Sequence, residues 1–209
     1  MRRSVNVEES GVGMSRRSFL RGTGAAVASA AALETALTAV AEAAAPEPAV
    51  FGPDAVFATL RVNGATRTVA VEPRATLAEV LRGSLDLTGT KIACDRGACS
   101  ACTVLLDGAP VASCSLLALD VGERAITTIE GVARDGVLHP VQAAFVEHDA
   151  LQCGFCTPGL VLSCVALLER NPHPTAEDIK AAISGHVCRC GTYPHVVEAV
   201  LAAAQARRS

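Results

Sequence analysis

Cysteine spacing constrains the fold of this 209-residue chain more than any other feature, because eight of its nine cysteines fall into two groups. The first group reads C-x4-C-x2-C-x11-C and consists of Cys94, Cys99, Cys102 and Cys114. The second group reads C-x2-C followed by C-x-C and consists of Cys153, Cys156, Cys188 and Cys190. Four thiols that meet in a fold can form disulfides, bind zinc or hold an iron–sulfur cluster. We therefore expect a fold that brings each group together.

The first 43 residues are predicted to be an export signal and not part of the fold. Arg16 and Arg17 precede an alanine-rich, weakly apolar stretch with A-x-A cleavage patterns, which is typical of a twin-arginine signal. The stretch contains too many polar residues for a membrane anchor. Residues 44–54, rich in proline and alanine, are predicted to be a linker. We therefore expect a periplasmic protein whose mature chain has no membrane span.

Three kinds of chemistry compete for the cysteine groups. Disulfides are common in exported proteins, but a chain with 50% hydrophobic residues can stabilise a core without them, and a twin-arginine signal suits a protein that folds around a cofactor before export. Zinc sites usually combine two short cysteine pairs. The first group instead has the spacing of the plant-type ferredoxin loop, which holds a [2Fe–2S] cluster. Spacing alone leaves zinc open for the second group.

Composition excludes nucleic acid as a partner. The net charge is -3 and aromatic residues make up only 3% of the chain. The chain therefore lacks the basic stripe and the stacking aromatic side chains that nucleic-acid binding requires.

Residues 55–131 are predicted to form an α+β domain of the β-grasp ferredoxin kind. The Asn63-Gly64 pair between two alternating apolar runs indicates a type I′ hairpin. The spacing of Thr76 and Glu79 indicates the capping box of a short helix. The predicted strands are 56–62, 66–71, 102–106, a strand around Val111 and 125–129, and the helix is predicted to end near Gly83.

Residues 136–209 are predicted to form a second domain of four helices. Pro140 and Pro158 each suit the first turn of a helix. The boundary is placed between Gly131 and Gly136, where no apolar period continues. The predicted helices are 139–148, 157–170, 175–184 and a last helix from about His195 towards the C-terminus.

Three motifs, taken in order, resemble one known family. They are CDRGACSACTV at residues 94–104, QCGFCTPG at 152–159 and CRCGTY at 188–193. With them the chain resembles the iron–sulfur subunit of the xanthine oxidase family of molybdenum hydroxylases, from about Phe57 to Ala204. Among these subunits it is most similar to the exported small subunit of periplasmic aldehyde oxidoreductases.

The resemblance implies two [2Fe–2S] clusters, one on each cysteine group. It implies that a separate large subunit carries molybdopterin and molybdenum and oxidises the substrate, so that no catalytic residue is expected in this chain. Electrons would pass through the chain to an FAD-binding subunit or to a periplasmic acceptor. The implied substrate is an aldehyde. A subunit of an N-heterocycle hydroxylase and a free-standing two-cluster ferredoxin are the alternatives.

Four further residues near the second group have expected roles. By resemblance, Gln152 contacts the pterin and Cys190 is the cluster ligand nearest to it. The alternative for Gln152 is an ordinary amide at a helix end. Cys164 is expected to be a buried thiol inside a helix. His186 is expected to have a capping or surface role and not to bind metal.

The first cysteine loop departs from the glycine-rich pattern of the family at Asp95 and Ser100. Either the backbone has an ordinary negative φ at these positions, or the loop differs slightly in shape. Gly97, Ala98 and Ala101 are small enough to let backbone amides approach the sulfur atoms of a cluster.

Overall fold

The computed structural model describes Arg17 and residues 50–207. Apart from Arg17, the predicted export signal and the predicted linker up to residue 49 lie outside these residues. Two large hydrophobic cores organise the compact unit that begins at Phe51. None of the described helices is both long and apolar enough to cross a membrane.

A mixed five-stranded sheet covers the first core. Its strands are β1 (Val56–Val62), β2 (Ala65–Val71), β3 (Thr103–Leu106), β4 (Ala109–Ala112) and β5 (Ala125–Thr127). The spatial order is β2-β1-β5-β3-β4, with β1 parallel to β5 and all other neighbours antiparallel. Helix α1 (Leu77–Arg82) begins at the predicted capping box and buries its apolar side chains in this core. The predicted α+β fold is confirmed.

The turn at Asn63 connects the first hairpin to β5. Asn63 and Gly64 both have positive φ, 50° and 81°, as a type I′ turn requires. The Asn63 side chain donates to Oγ1 of Thr128 and accepts from its backbone N–H, each at 2.9 Å. Strand β5, predicted to reach residue 129, therefore ends at Thr127, and a short 3₁₀ turn follows from Ile129.

Four helices surround the second core, as predicted. They are α2 (Pro140–Glu147), α3 (Thr157–Arg170), α4 (Ala176–Ile183) and α5 (Tyr193–Ala206). Helix α5 begins two residues before the predicted His195, because Pro194 occupies its first turn and proline suits that position. The largest fully buried side chain of this core is Phe145 on α2.

Helix α3 packs against the sheet as well as against the other helices. Leu105 of β3 belongs to the same buried cluster as Leu160 and Leu162 of α3, and so does Val132. Residues on both sides of the predicted boundary between residues 131 and 136 therefore share one core. This packing positions the start of α3 close to the loop that precedes β3.

We predict that Asn63→Ala lowers the free energy of unfolding by roughly 2–4 kcal/mol, since an orphaned buried N–H costs about 1–3 kcal/mol and left-handed backbone at an ordinary residue about 1–2 kcal/mol. Thr128, whose amide would be orphaned, is fully buried. Urea denaturation of the cluster-loaded chain measures the change. Asn63→Gly is the matched control, because it loses the same hydrogen bonds without backbone strain and should be affected less. Equal stability of wild type and Asn63→Ala would contradict this account.

Candidate metal centres

The first cysteine group converges around the loop before β3. Cys102 and Cys114 are buried, and Cys94 and Cys99 are partly exposed. Cys99 lowers the pKa of Cys94 and Cys114 acts on the pKa of Cys102, so the thiols of each pair lie near each other. The group is thus arranged as an outer pair and an inner pair.

Backbone amides of the loop point at the sulfur atoms. The N–H of Gly97 donates to Sγ of Cys114, and the N–H of Ala98 donates to Sγ of Cys94, each at 3.3 Å. The pKa of Cys94 is lowered to about 7, chiefly by a hydrogen bond from the Arg96 backbone and then by one from Cys99. These amides stabilise a thiolate in the way that a cluster ligand requires.

The loop achieves this shape with left-handed backbone at residues other than glycine. Asp95 has φ 52° and Ser100 has φ 57°, and Gly97 between them has φ 70°. The first of the two sequence-based alternatives, an ordinary negative φ at Asp95 and Ser100, is therefore wrong. Aspartate adopts this region more readily than most residues because its short side chain can hydrogen-bond locally.

Packing and a hydrogen bond to the backbone carbonyl of Cys102 hold the inner pair in place. Oγ of Ser113 donates to the carbonyl oxygen of Cys102 at 2.6 Å. Ala78 of α1 packs against Cys102 and Cys114 and is fully buried. Burial raises the pKa of Cys102 to about 11, so a bound cation is needed to keep this thiolate charged at neutral pH.

The second cysteine group lies at the start of α3 and in the loop before α5. Cys156 is the residue before α3 and is buried, and the nearby buried Cys188 contributes to its raised pKa. Cys153 is exposed and interacts electrostatically with Cys156. Cys190 is partly exposed and packs against the helical core. Burial raises the pKa of Cys156 to about 12.

Two residues that sequence reasoning left without a role support Cys188. The backbone N–H of Cys188 donates to the hydroxyl of Tyr193 at 2.7 Å, and that hydroxyl donates to the carbonyl of His186 at 3.0 Å. Oγ1 of Thr192 lies 3.4 Å from Sγ of Cys188. Burial opposes ionisation of Cys188, but hydrogen bonds, above all from Thr192, outweigh it and lower its pKa to about 7. The available signal was the pair of hydroxyl residues that follows Gly191, just after the C-x-C motif.

The other expected residues are found in varied settings. His186 is only 6% exposed and its Nε2 lies 2.8 Å from Oγ of Ser163 on α3, so the surface role expected for His186 is wrong. Cys164 is fully buried in α3, as expected. Gln152 is exposed in the loop before α3, next to exposed Cys153. Its contact with a pterin stays a prediction.

One backbone hydrogen bond connects the two groups. The N–H of Val187 donates to the carbonyl of Cys99 at 3.1 Å. Val187 directly precedes Cys188, so a member of the first group is separated from a member of the second by a single hydrogen bond and a few covalent bonds.

The donor set fits [2Fe–2S] clusters. All nine cysteines are free thiols, and within the groups neighbouring thiols affect each other's pKa, Cys94 with Cys99, Cys102 with Cys114, and Cys156 with both Cys188 and Cys153. A [2Fe–2S] cluster is held by four cysteines, two at each iron. Among residues 50–207, three or more His, Cys, Asp or Glu side chains are nowhere grouped to hold a single metal ion.

Comparison with known proteins gives the family. Residues 60–126 match the model of a 2Fe-2S iron-sulfur cluster binding domain, and residues 128–201 match that of a [2Fe-2S] binding domain. The chain is 52% identical over 148 residues to the nicotine 6-hydroxylase small subunit of Paenarthrobacter nicotinovorans, covering 71% of this chain and 89% of the relative. The chain belongs to the iron–sulfur subunits of the xanthine oxidase family of molybdenum hydroxylases. Two matched [2Fe-2S] domains account for both cysteine groups.

Other members of this family are similar over different spans. The aldehyde oxidoreductase iron-sulfur-binding subunit PaoA of Escherichia coli O157:H7 is 40% identical over 202 residues, covering 90% of this chain and 86% of the relative. Among solved structures, quinoline 2-oxidoreductase from Pseudomonas putida 86 matches with a TM-score of 0.72 and 40% identity, covering 74% of this chain and 97% of the solved chain.

We predict that Cys102→Ser removes the first cluster and leaves the second, because the inner pair loses one of its two thiolates. The cluster-loaded chain should then contain about half the wild-type iron and acid-labile sulfide. Cys164→Ala is the matched control, since Cys164 is equally buried but belongs to neither group, and it should retain the full content. Full iron content in Cys102→Ser would contradict the assignment of Cys102.

Proposed function

We propose that this chain is the electron-transfer subunit of a molybdenum-dependent hydroxylase and relays electrons between a molybdopterin-binding subunit and an acceptor. The observation that carries the proposal is the pair of complete cysteine groups joined through the Val187–Cys99 hydrogen bond. When bound, the two clusters supply one-electron redox chemistry. The chain's own contribution is to position both groups, to exclude water from their buried thiols and to supply hydrogen bonds to sulfur.

The exposed surface beside the second cysteine group suits a large subunit. Phe155 is 47% exposed and Val187 is 60% exposed, and both lie next to group members. These exposed apolar side chains are available to pack against a partner subunit. Gln152 and Cys153 are exposed close by, so a pterin held by the large subunit could contact Gln152 there. The exposed part of the first loop, residues 95–98, would face an FAD-binding subunit or a periplasmic acceptor.

The substrate we propose is an aldehyde, which the large subunit would oxidise to a carboxylic acid. Support comes from the aldehyde oxidoreductase subunit of Escherichia coli, whose similarity extends beyond the two matched domains to 90% of this chain. An N-heterocycle is the second candidate. It is favoured by the higher identity to the nicotine 6-hydroxylase small subunit, 52%, and by the match to quinoline 2-oxidoreductase.

Export to the periplasm by the twin-arginine pathway is part of the proposal. Arg16 and Arg17, followed by an alanine-rich stretch and A-x-A patterns, support it. Both cysteine groups need an iron–sulfur cluster, and this pathway suits proteins that have already folded around such a cofactor.

We predict that the tagged chain, purified without oxygen from the organism that encodes it, elutes with a larger chain containing molybdenum and a pterin. That complex should reduce an artificial dye with an aldehyde faster than with nicotine or quinoline. The reverse preference would favour the N-heterocycle alternative. A stable monomer that carries four irons and elutes without molybdenum would contradict the subunit role and indicate a free-standing ferredoxin.

We predict that replacing Arg16 and Arg17 with lysine retains the chain in the cytoplasm, because the twin-arginine pathway depends on the arginine pair. Cell fractionation with an antibody to the chain measures the distribution. Replacing Arg2 and Arg3 with lysine is the matched control, since it changes an equal number of arginines within the same leader but outside the adjacent Arg16-Arg17 pair, and it should leave export intact. Periplasmic accumulation of the Arg16/Arg17 variant would contradict this part of the proposal.

A further inference from the structure

Gly159 occupies the point at which the two cysteine loops meet. It lies in the first turn of α3, three residues after Cys156, and it is buried. Both the Ser100 carbonyl in the loop of the first group and the ring of His186, two residues before Cys188, lie next to it.

The space at Gly159 is too small for any side chain. A Cβ atom built there would lie 2.4 Å from the carbonyl oxygen of Ser100, whereas ordinary van der Waals contact begins at 3.4 Å. The same atom would lie 3.3 Å from Cε1 and 3.4 Å from Nδ1 of the His186 ring. A methyl group would therefore have to displace the Ser100 carbonyl by about 1 Å.

Neither neighbour is free to yield alone. The Ser100 carbonyl accepts hydrogen bonds from the backbone N–H of Thr103 at 3.2 Å and from its hydroxyl at 2.8 Å, and Thr103 begins β3. The His186 ring is buried and its Nε2 lies 2.8 Å from Oγ of Ser163. Displacing Ser100 thus means moving the loop that carries Cys99 and Cys102.

The backbone conformation at position 159 does not require glycine. Its φ is not in the left-handed region, in contrast to Gly97, Gly154 and Gly191. Within a helix, alanine is ordinarily the more stable choice. The close approach of Ser100 is the contact that requires glycine here.

We propose that Gly159 is a positioning residue that sets the separation of the two cysteine groups, and with it the coupling between their clusters. The proposal rests on the proposed two-cluster function. Because α3 connects Gly159 rigidly to Cys156, a side chain at position 159 would move the first group away from the second. Each group would stay complete, since neither loop loses a thiol or an amide donor.

The test is the magnetic interaction between the two clusters in the full, cluster-loaded chain after reduction with dithionite. This interaction splits the electron paramagnetic resonance signals and weakens with the inverse cube of the separation. We expect Gly159→Ala to retain wild-type iron and sulfide content and both signals but to lose part of the splitting. Flash-induced electron transfer between the two centres should slow in the same variant.

Gly185→Ala is the matched control. A Cβ at Gly185 would lie 3.2 Å from Oγ of Ser100, a side-chain hydroxyl that can rotate away, so the splitting should equal that of wild type. The double variant Ser100→Gly with Gly159→Ala relaxes the left-handed backbone at position 100. This double variant replaces Gly159→Ala in the experiment if Gly159→Ala alone does not load both clusters. We expect it to show the same partial loss of splitting.

An unchanged splitting in a Gly159 variant that carries both clusters would overturn the proposal. Failure of both variants to load their clusters would also overturn it, because Gly159 would then be required for folding and not for spacing. A wild-type chain that shows only one signal, or none, would instead contradict the two-cluster function. The two failures are therefore distinguishable.

Discussion

The packing of α3 against the loop before β3 is the contact on which the arrangement of both cysteine groups depends. Leu105 of β3 is buried among side chains of α3, and the first turn of α3 lies against the carbonyl of Ser100. The Val187–Cys99 hydrogen bond forms at the edge of this contact. These contacts between α3 and the loop before β3 fix the position of one cysteine group relative to the other.

Several of the buried cysteines lie at the ends of strands and helices or in a short 3₁₀ helix. Cys156 directly precedes α3, Cys102 directly precedes β3, and Cys114 lies in a short 3₁₀ helix after β4. A ligand at the end of a packed element is positioned more accurately than one inside a long loop. The partly exposed cysteines are instead carried by loops whose shape depends on left-handed residues such as Asp95 and Gly154. Cys102, Cys114 and Cys156 are therefore the most accurately positioned thiols.

Features that depend on neighbouring residues could be predicted from the sequence. The Asn63-Gly64 turn, the capping box at Thr76 and the start of α2 at Pro140 each follow from hydrogen bonds or dihedral preferences within a few residues. The resemblance carried by the three cysteine motifs also gave the family, because ligand spacing reflects the geometry of the cluster.

Features that depend on residues distant in sequence could not be predicted in this way. Strand β5 ends early because Thr128 bonds to Asn63, 65 residues away. His186 is buried against α3, where its Nε2 lies 2.8 Å from Oγ of Ser163, 23 residues away in the sequence. Gly159 gave no signal beyond its place in a motif, since its neighbour Ser100 lies in the other half of the chain. Tertiary contacts of this kind are absent from local patterns.

Each group contains both buried thiols and thiols that are exposed or partly exposed. A cluster bound to either group would therefore have one side in the protein interior and one side facing solvent. Water can stabilise added negative charge near Cys94 and Cys99, whereas the surroundings of Cys102 and Cys114 must do so with fixed dipoles alone. Cys153 on the exposed side and Cys156 in the interior create the same gradient in the second group. The difference in burial alone therefore makes added negative charge better solvated at the exposed side of each centre than at its buried side.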